Sequence, residues 1–145
     1  MKVLIQRVSH AKVEINGKAT GEISQGILVF LGFEKADEKP QVDKIIKKLL
    51  AYRVFYDDQE KMNLSVKDIN GEVLVVSQFT LAADTKSGTR AGFSTAKPPA
   101  LAKELYDYFL VQIKQAHSPI ESGIFGADMQ VSLTNDGPIT FLLEC

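Results

Sequence analysis

The chain has 145 residues, enough for one domain with a sizeable core. Hydrophobic residues make up 45% and charged residues 24%, the balance of a soluble globular protein, and the longest apolar run, Ile27–Phe33, is too short to span a bilayer. A net charge of −1 argues against nucleic-acid binding through a large basic surface, though a few contacts could still recognise one RNA terminus.

The N-terminal "MKVLIQRVSH" lacks a signal pattern, because Lys2, Gln6 and Arg7 interrupt any apolar core. With a single cysteine, Cys145, no internal disulfide can form. A cytoplasmic location and no membrane association are the expectation.

Ala11, Val13 and Ile15 alternate with Lys12 and Glu14, the pattern of a half-buried strand. Asn16–Gly17 then reads as a hairpin turn with positive φ at both central positions. "ILVFLGF" reads as a strand buried on both faces. Val42, Ile45, Ile46, Leu49 and Leu50 fall at helical spacing, which predicts a helix from Pro40 to about Arg53, with Asp37 as its cap. A short strand is expected at Arg53–Asp57.

A second Asn-Gly, at 70–71, introduces the strongest strand pattern, "EVLVVSQFTL", Glu72–Leu81. It begins apolar and turns polar at its end. There Ser77 and Phe79 would face one way, and Gln78 and Thr80 the other. Residues 82–98 lack periodicity and form the longest predicted loop. A helix follows from about Pro99 to Ala116, with Leu101, Leu105, Tyr108, Phe109 and Ile113 inward. "ESGIFGA" reads as a glycine-punctuated loop. Met129, Val131 and Leu133 alternate with Gln130 and Ser132, and "TNDGPIT" reads as a tight turn before the terminal strand.

The order of elements predicts an α/β single domain over 1–145, a mixed sheet covered by two main helices. No metal-ligand spacing, nucleotide-phosphate loop or GxSxG is present, so no cofactor or metal is expected. His10 and His117 read as solvated or locally bonded. Three polar segments remain. "SQFT" ends the best strand, and its plainer reading is an ordinary polar strand end. "SGIFGADM" offers Phe125 to a planar ligand or simply anchors an aromatic ring. "NDGP" holds a Gly-Pro bond for which trans is favoured by only about 0.5–1 kcal/mol, so an ordinary trans turn and a cis step both stay open.

Together these segments resemble the bacterial-type D-aminoacyl-tRNA deacylases. The resemblance runs along essentially the whole chain, through "MKVLIQRVSHAKV", "GEISQGILVFLG", "KMNLSV", "LVVSQFTLAADT" and "FGADMQVSLTNDGPIT". It implies a partly barrel-like sheet and a homodimer acting on the aminoacylated 3′ end of tRNA. It also implies that Gly137–Pro138 is a cis step reaching into the partner's pocket. There its carbonyls would meet the substrate's amino group and exclude L side chains. Glycine would pass, so glycyl-tRNA(Ala) is an implied substrate too.

The family pattern places Arg7 behind that motif. Ser77, Gln78, Phe79 and Thr80 would line the catalytic pocket, and Phe125, Ala127 and Met129 would form the wall for the terminal adenosine. Thr80 is either a nucleophile or a bystander to catalysis by the 2′-hydroxyl of the tRNA. The second reading is preferred, since no base stands beside Thr80 in the sequence. A non-catalytic RNA-end or D-amino-acid binding protein on the same fold is the alternative of another class. "KSGTRAGFS" departs from the family pattern in having Thr89, Ala91 and Gly92 where basic residues and a proline are usual. Lys86 and Arg90 remain there to meet phosphates.

Overall fold

The computed structural model describes residues 1–145. Its elements are β1 (Lys2–Ile15), β2 (Lys18–Ile23), β3 (Gly26–Gly32), α1 (Lys39–Ala51), β4 (Arg53–Tyr56), β5 (Met62–Ser65), β6 (Glu72–Ser77), α2 (Pro99–Ala116), β7 (Ile120–Ser122) and β8 (Gln130–Glu144).

The main sheet runs β2-β1-β3-β6-β7, with β8 also pairing β1. β1 is long enough to take β3 along its first half and β2 along its second, while β8 follows its other edge. β3, β6 and β7 are mutually parallel and the remaining pairs antiparallel. β2 comes against β7, so the mixed sheet curls nearly into a barrel. Asn16 and Gly17 have φ of 50° and 77°, as the β1–β2 hairpin turn requires.

The apolar run of β3 divides between two cores. Ile27, Val29 and Leu31 pack with Val73, Val75 and the buried faces of both helices. Leu28 faces the barrel interior with Val8, Val13, Ile23, Leu74 and Val76. Burial on both faces explains why this strand reads as continuously hydrophobic.

Several expectations shift. α1 is capped by Glu38, whose N–H donates to the Gln41 side chain across 3.0 Å. Asp37 is instead buried, accepting a hydrogen bond from the Met1 ammonium at 2.8 Å. On α2 the buried stripe is Ala102, Leu105, Tyr106, Phe109 and Ile113. Leu101 is exposed, and the half-buried Tyr108 donates its hydroxyl to Asp43 at 2.9 Å.

The tight turn expected at "TNDGPIT" is absent. β8 continues on both sides of it as one strand. Between Gln6 and Val8, two steps on β1, the partner moves from Thr140 to Asn135, five steps on β8. Residues 136–139 stand opposite the single residue Arg7 of β1 and are extruded as a bulge. Asn135 and Thr140 pinch its base. Asn135 Nδ2 donates to Thr140 Oγ1 at 2.8 Å, and Ile139 N–H donates to Asn135 Oδ1 at 2.9 Å.

Candidate active site

β6 ends at Ser77, earlier than its apolar pattern suggests. The chain then tightens into a 3-10 turn, Phe79–Ala82, so the alternation expected for Gln78–Thr80 does not hold. Gln78 N–H donates to Leu31 O at 2.7 Å, which fastens the turn to the end of β3. Gly32 makes this approach possible: a Cβ there would lie 2.7 Å from Leu81 Cβ and 3.0 Å from Gln78 O. The N–H groups of Phe79 and Thr80 open the turn and have no partner within it.

A cavity of about 820 Å³ opens at the ends of the parallel strands β3 and β6. Ser77, Gln78 and Phe79 form one side, and Phe125, Ala127 and Met129 form another. Segments about fifty residues apart in sequence therefore meet at one apolar hollow. Tyr106 supports the second side. Its ring lies 5.7 Å from that of Phe125, and its buried hydroxyl donates to Val75 O or Gly123 O, at 3.2 and 3.1 Å. Burial pushes this phenol well above its ordinary pKa, so it acts as a neutral donor.

Thr80, expected to line the pocket with them, is not among the residues lining the cavity and is exposed. Its Oγ1 sits 2.6 Å from Gln78 Nε2, which donates to it. An amide nitrogen cannot take a proton from the hydroxyl, so this contact orients Thr80 without activating it. No group of three or more His, Cys, Asp or Glu side chains is placed to hold a metal. His10 is exposed and bonded to Glu22 across the β1–β2 hairpin at 2.9 Å, whereas His117 is bonded at 2.7 Å to Gly71 O, 46 residues away, and so is not locally bonded.

Phe33, Lys35, Phe93 and Lys97 also line the cavity, and sequence reasoning did not single them out. The Phe93 ring lies 5.1 Å from that of Phe79, so an exposed aromatic pair frames the mouth. The long loop carrying Phe93 offered no periodicity. What brings it to the cavity is a contact between residues distant in sequence, Lys97 N–H donating to Phe33 O at 2.9 Å, which no local pattern records. Lys86 and Arg90 stand apart on an exposed excursion closed by paired hydrogen bonds between Asp84 and Gly92.

Gly137 and Pro138 are not among the residues lining this chain's own cavity, and neither is Arg7. Both motif residues are exposed, and the bond between them is cis, as is Ser118–Pro119. Arg7 is buried behind them. Its Nε donates to Asp136 O at 3.0 Å, and its Nη1 donates to Val54 O at 2.9 Å.

A family model described as D-Tyr-tRNA(Tyr) deacylase matches residues 4–144. The chain belongs to this family. A D-aminoacyl-tRNA deacylase of Pseudoalteromonas translucida (strain TAC 125) is 60% identical over 143 residues, 99% of each chain. One of Pseudomonas putida (strain W619) is 59% identical over 144 residues, again 99% of each. Among solved structures, the deacylase fold here superposes on one titled c-Myc DNA Unwinding Element Binding Protein. The TM-score is 0.96 and the identity 39%, over 100% of this chain and 99% of that one. A probable eukaryotic D-amino acid tRNA deacylase shares the fold at TM-score 0.82 and 16% identity, over 98% and 97%.

Proposed function

We propose that the cavity bounded by Ser77–Phe79 and Phe125–Met129 is where this family member, a D-aminoacyl-tRNA deacylase, hydrolyses its substrate. Water adds to the ester carbonyl, the bond to the terminal ribose breaks, and the proton lost by water ends on the leaving ribose oxygen. The products are a free D-amino acid and tRNA. The observation that carries the reading is the meeting of the two motif segments at one hollow, where the turn Phe79–Ala82 begins.

In this reading the N–H groups of Phe79 and Thr80 hold the carbonyl oxygen as charge develops on it. Phe125, Ala127 and Met129 receive the terminal adenosine. Lys86 and Arg90 meet phosphates farther along the tRNA. The 2′-hydroxyl of the terminal ribose activates the water. The absence of a base at Thr80 supports this over a threonine nucleophile.

Chirality is tested by Gly137 and Pro138 acting from a second copy of the chain. Their exposure, away from their own chain's cavity, supports an action in trans. An L side chain would collide with main chain, which has no rotamer to change. A D side chain points away, and glycine, having none, also passes, so glycyl-tRNA(Ala) is a substrate.

The test is single-turnover release of D-tyrosine from tRNA ending in adenosine or in 2′-deoxyadenosine. Resistance of the deoxy substrate is the expected result. Equal rates on both would overturn the role of the 2′-hydroxyl. No release from either would leave the fold as a binding module.

A further inference from the structure

The bulge at 136–139 is held from behind by a second, separate piece of sheet. β4 and β5 pair only with each other and form no ladder with the six-stranded sheet. Their pairing is irregular, with register shifts on both sides of Phe55. The turn is nevertheless firmly closed. The Asp57 carboxylate accepts hydrogen bonds from the N–H of Gln59 and of Lys61, both at 2.9 Å, and from Asn63 Nδ2 at 3.0 Å. Val54 is buried in the main core, which anchors the hairpin's first strand.

This hairpin meets Arg7 at two points. Val54 O accepts from Nη1, and the guanidinium carbon lies 4.7 Å from the centre of the Tyr56 ring. On the other side Nε donates to Asp136 O, with the Asp136 carboxylate 3.4 Å away. Two hydrogen bonds fix a planar guanidinium within its plane but leave it free to rock about the line joining them. An aromatic ring lying on the face opposes that rocking.

The rocking matters because the plane abuts the motif. A Cβ built on Gly137 would lie 3.2 Å from Arg7 Nη2, so the guanidinium is the motif's back wall. Gly137 holds φ of +133°, where the chain has no side chain of its own to brace it. Its position depends on what stands behind it.

We propose that Tyr56 is a positioning residue for the Gly137–Pro138 segment. It acts through Arg7 and sets the discrimination between D and L substrates without taking part in hydrolysis. The inference rests on the chiral reading of that segment given above. Tyr56 is itself 52% exposed, so its ring covers the guanidinium and leaves the rest of its surface outside.

The test compares wild type, Tyr56→Leu and Tyr56→Phe. Single-turnover rates are measured on tRNA carrying D-tyrosine or L-tyrosine. Tyr56→Leu should lower the D-to-L rate ratio about two- to fivefold, the shift a cation–π contact at a partly exposed ring can maintain. The change should come from a faster L reaction, with the D rate unaltered. Tyr56→Phe keeps the aromatic face and should keep the wild-type ratio. An unchanged ratio in Tyr56→Leu, with wild type selective, overturns the proposal and leaves the chiral reading standing. Equal loss of both rates shows a merely structural role and also overturns it, as does loss of selectivity in Tyr56→Phe. A wild-type ratio near one removes the chiral reading itself, and this inference with it.

Discussion

Gln78 Nε2 donates to Thr80 Oγ1 across 2.6 Å, and that hydroxyl has no proton acceptor placed to activate it. Thr80→Ala should therefore retain D-tyrosyl-tRNA hydrolysis to within about tenfold. Removal of a true nucleophile typically costs about 10⁴-fold or more. Single-turnover rates on the folded variant decide the matter. A loss of the larger size would restore Thr80 as a chemical participant.

Gly32 sets how closely the 3-10 turn can approach β3. In Gly32→Ala the new methyl meets Leu81 Cβ at 2.7 Å, and main chain at Gln78 O and Ala82 N at 3.0 and 3.2 Å. Neither main-chain atom can move aside alone, so the turn must shift. The expected result is a rate about 10- to 100-fold lower. Stability should fall by about 1–3 kcal/mol, as overpacking brings. Circular-dichroism melts beside the rate measurement separate the two effects.

The Met1 ammonium is bonded to Glu34 and Asp37, at 2.6 and 2.8 Å. Burial alone would lower its pKa, but hydrogen bonds and charge from Asp37 and Glu34 outweigh that and raise it above 8.0. A raised amine stabilises the fold fully below the unfolded value. That contribution is lost as pH rises through the folded value. The melting temperature should therefore decline as pH climbs above about 8. Asp37→Asn should lower stability by about 1–3 kcal/mol and flatten the decline.

If Gly137 and Pro138 work in a neighbour's cavity, the protein in solution must be at least a dimer. Light scattering should give twice the 16.0 kDa chain mass at assay concentration. A monomer with full D-selectivity would rule out action in trans.

Elements whose signals are local were legible in the sequence. The alternation in β1, the Asn16–Gly17 turn and the helical spacing of Val42, Ile45, Ile46 and Leu49 each reflect contacts within a few residues. Other features depend on distant partners. Asp37 looked like a cap because its actual partner is the chain's amino group, 36 residues away. "TNDGPIT" looked like a turn because Gly and Pro usually break strands. Here β1 continues opposite them, with Arg7 beside the extruded residues. Tyr106 was passed over for Tyr108 because the two differ only by rotation about α2. The hydroxyl partners of Tyr106 lie at Val75 and Gly123, far along the chain.

The candidate site was legible as motifs, two of which line the cavity, rather than as a shape. That Ser77–Phe79 and Phe125–Met129 face one cavity depends on the parallel pairing of β3 with β6 and β6 with β7. Those pairings join distant segments, and no local pattern records them. Phe93 reaches the same cavity from a loop without periodicity, fastened by Lys97 to Phe33.

The most direct measurement is single-turnover release of amino acid from D-tyrosyl-tRNA and L-tyrosyl-tRNA by the intact protein. Rapid release of D-tyrosine, with L-tyrosyl-tRNA left essentially intact, is the expected result. Equal release of both, or release of neither, would contradict it.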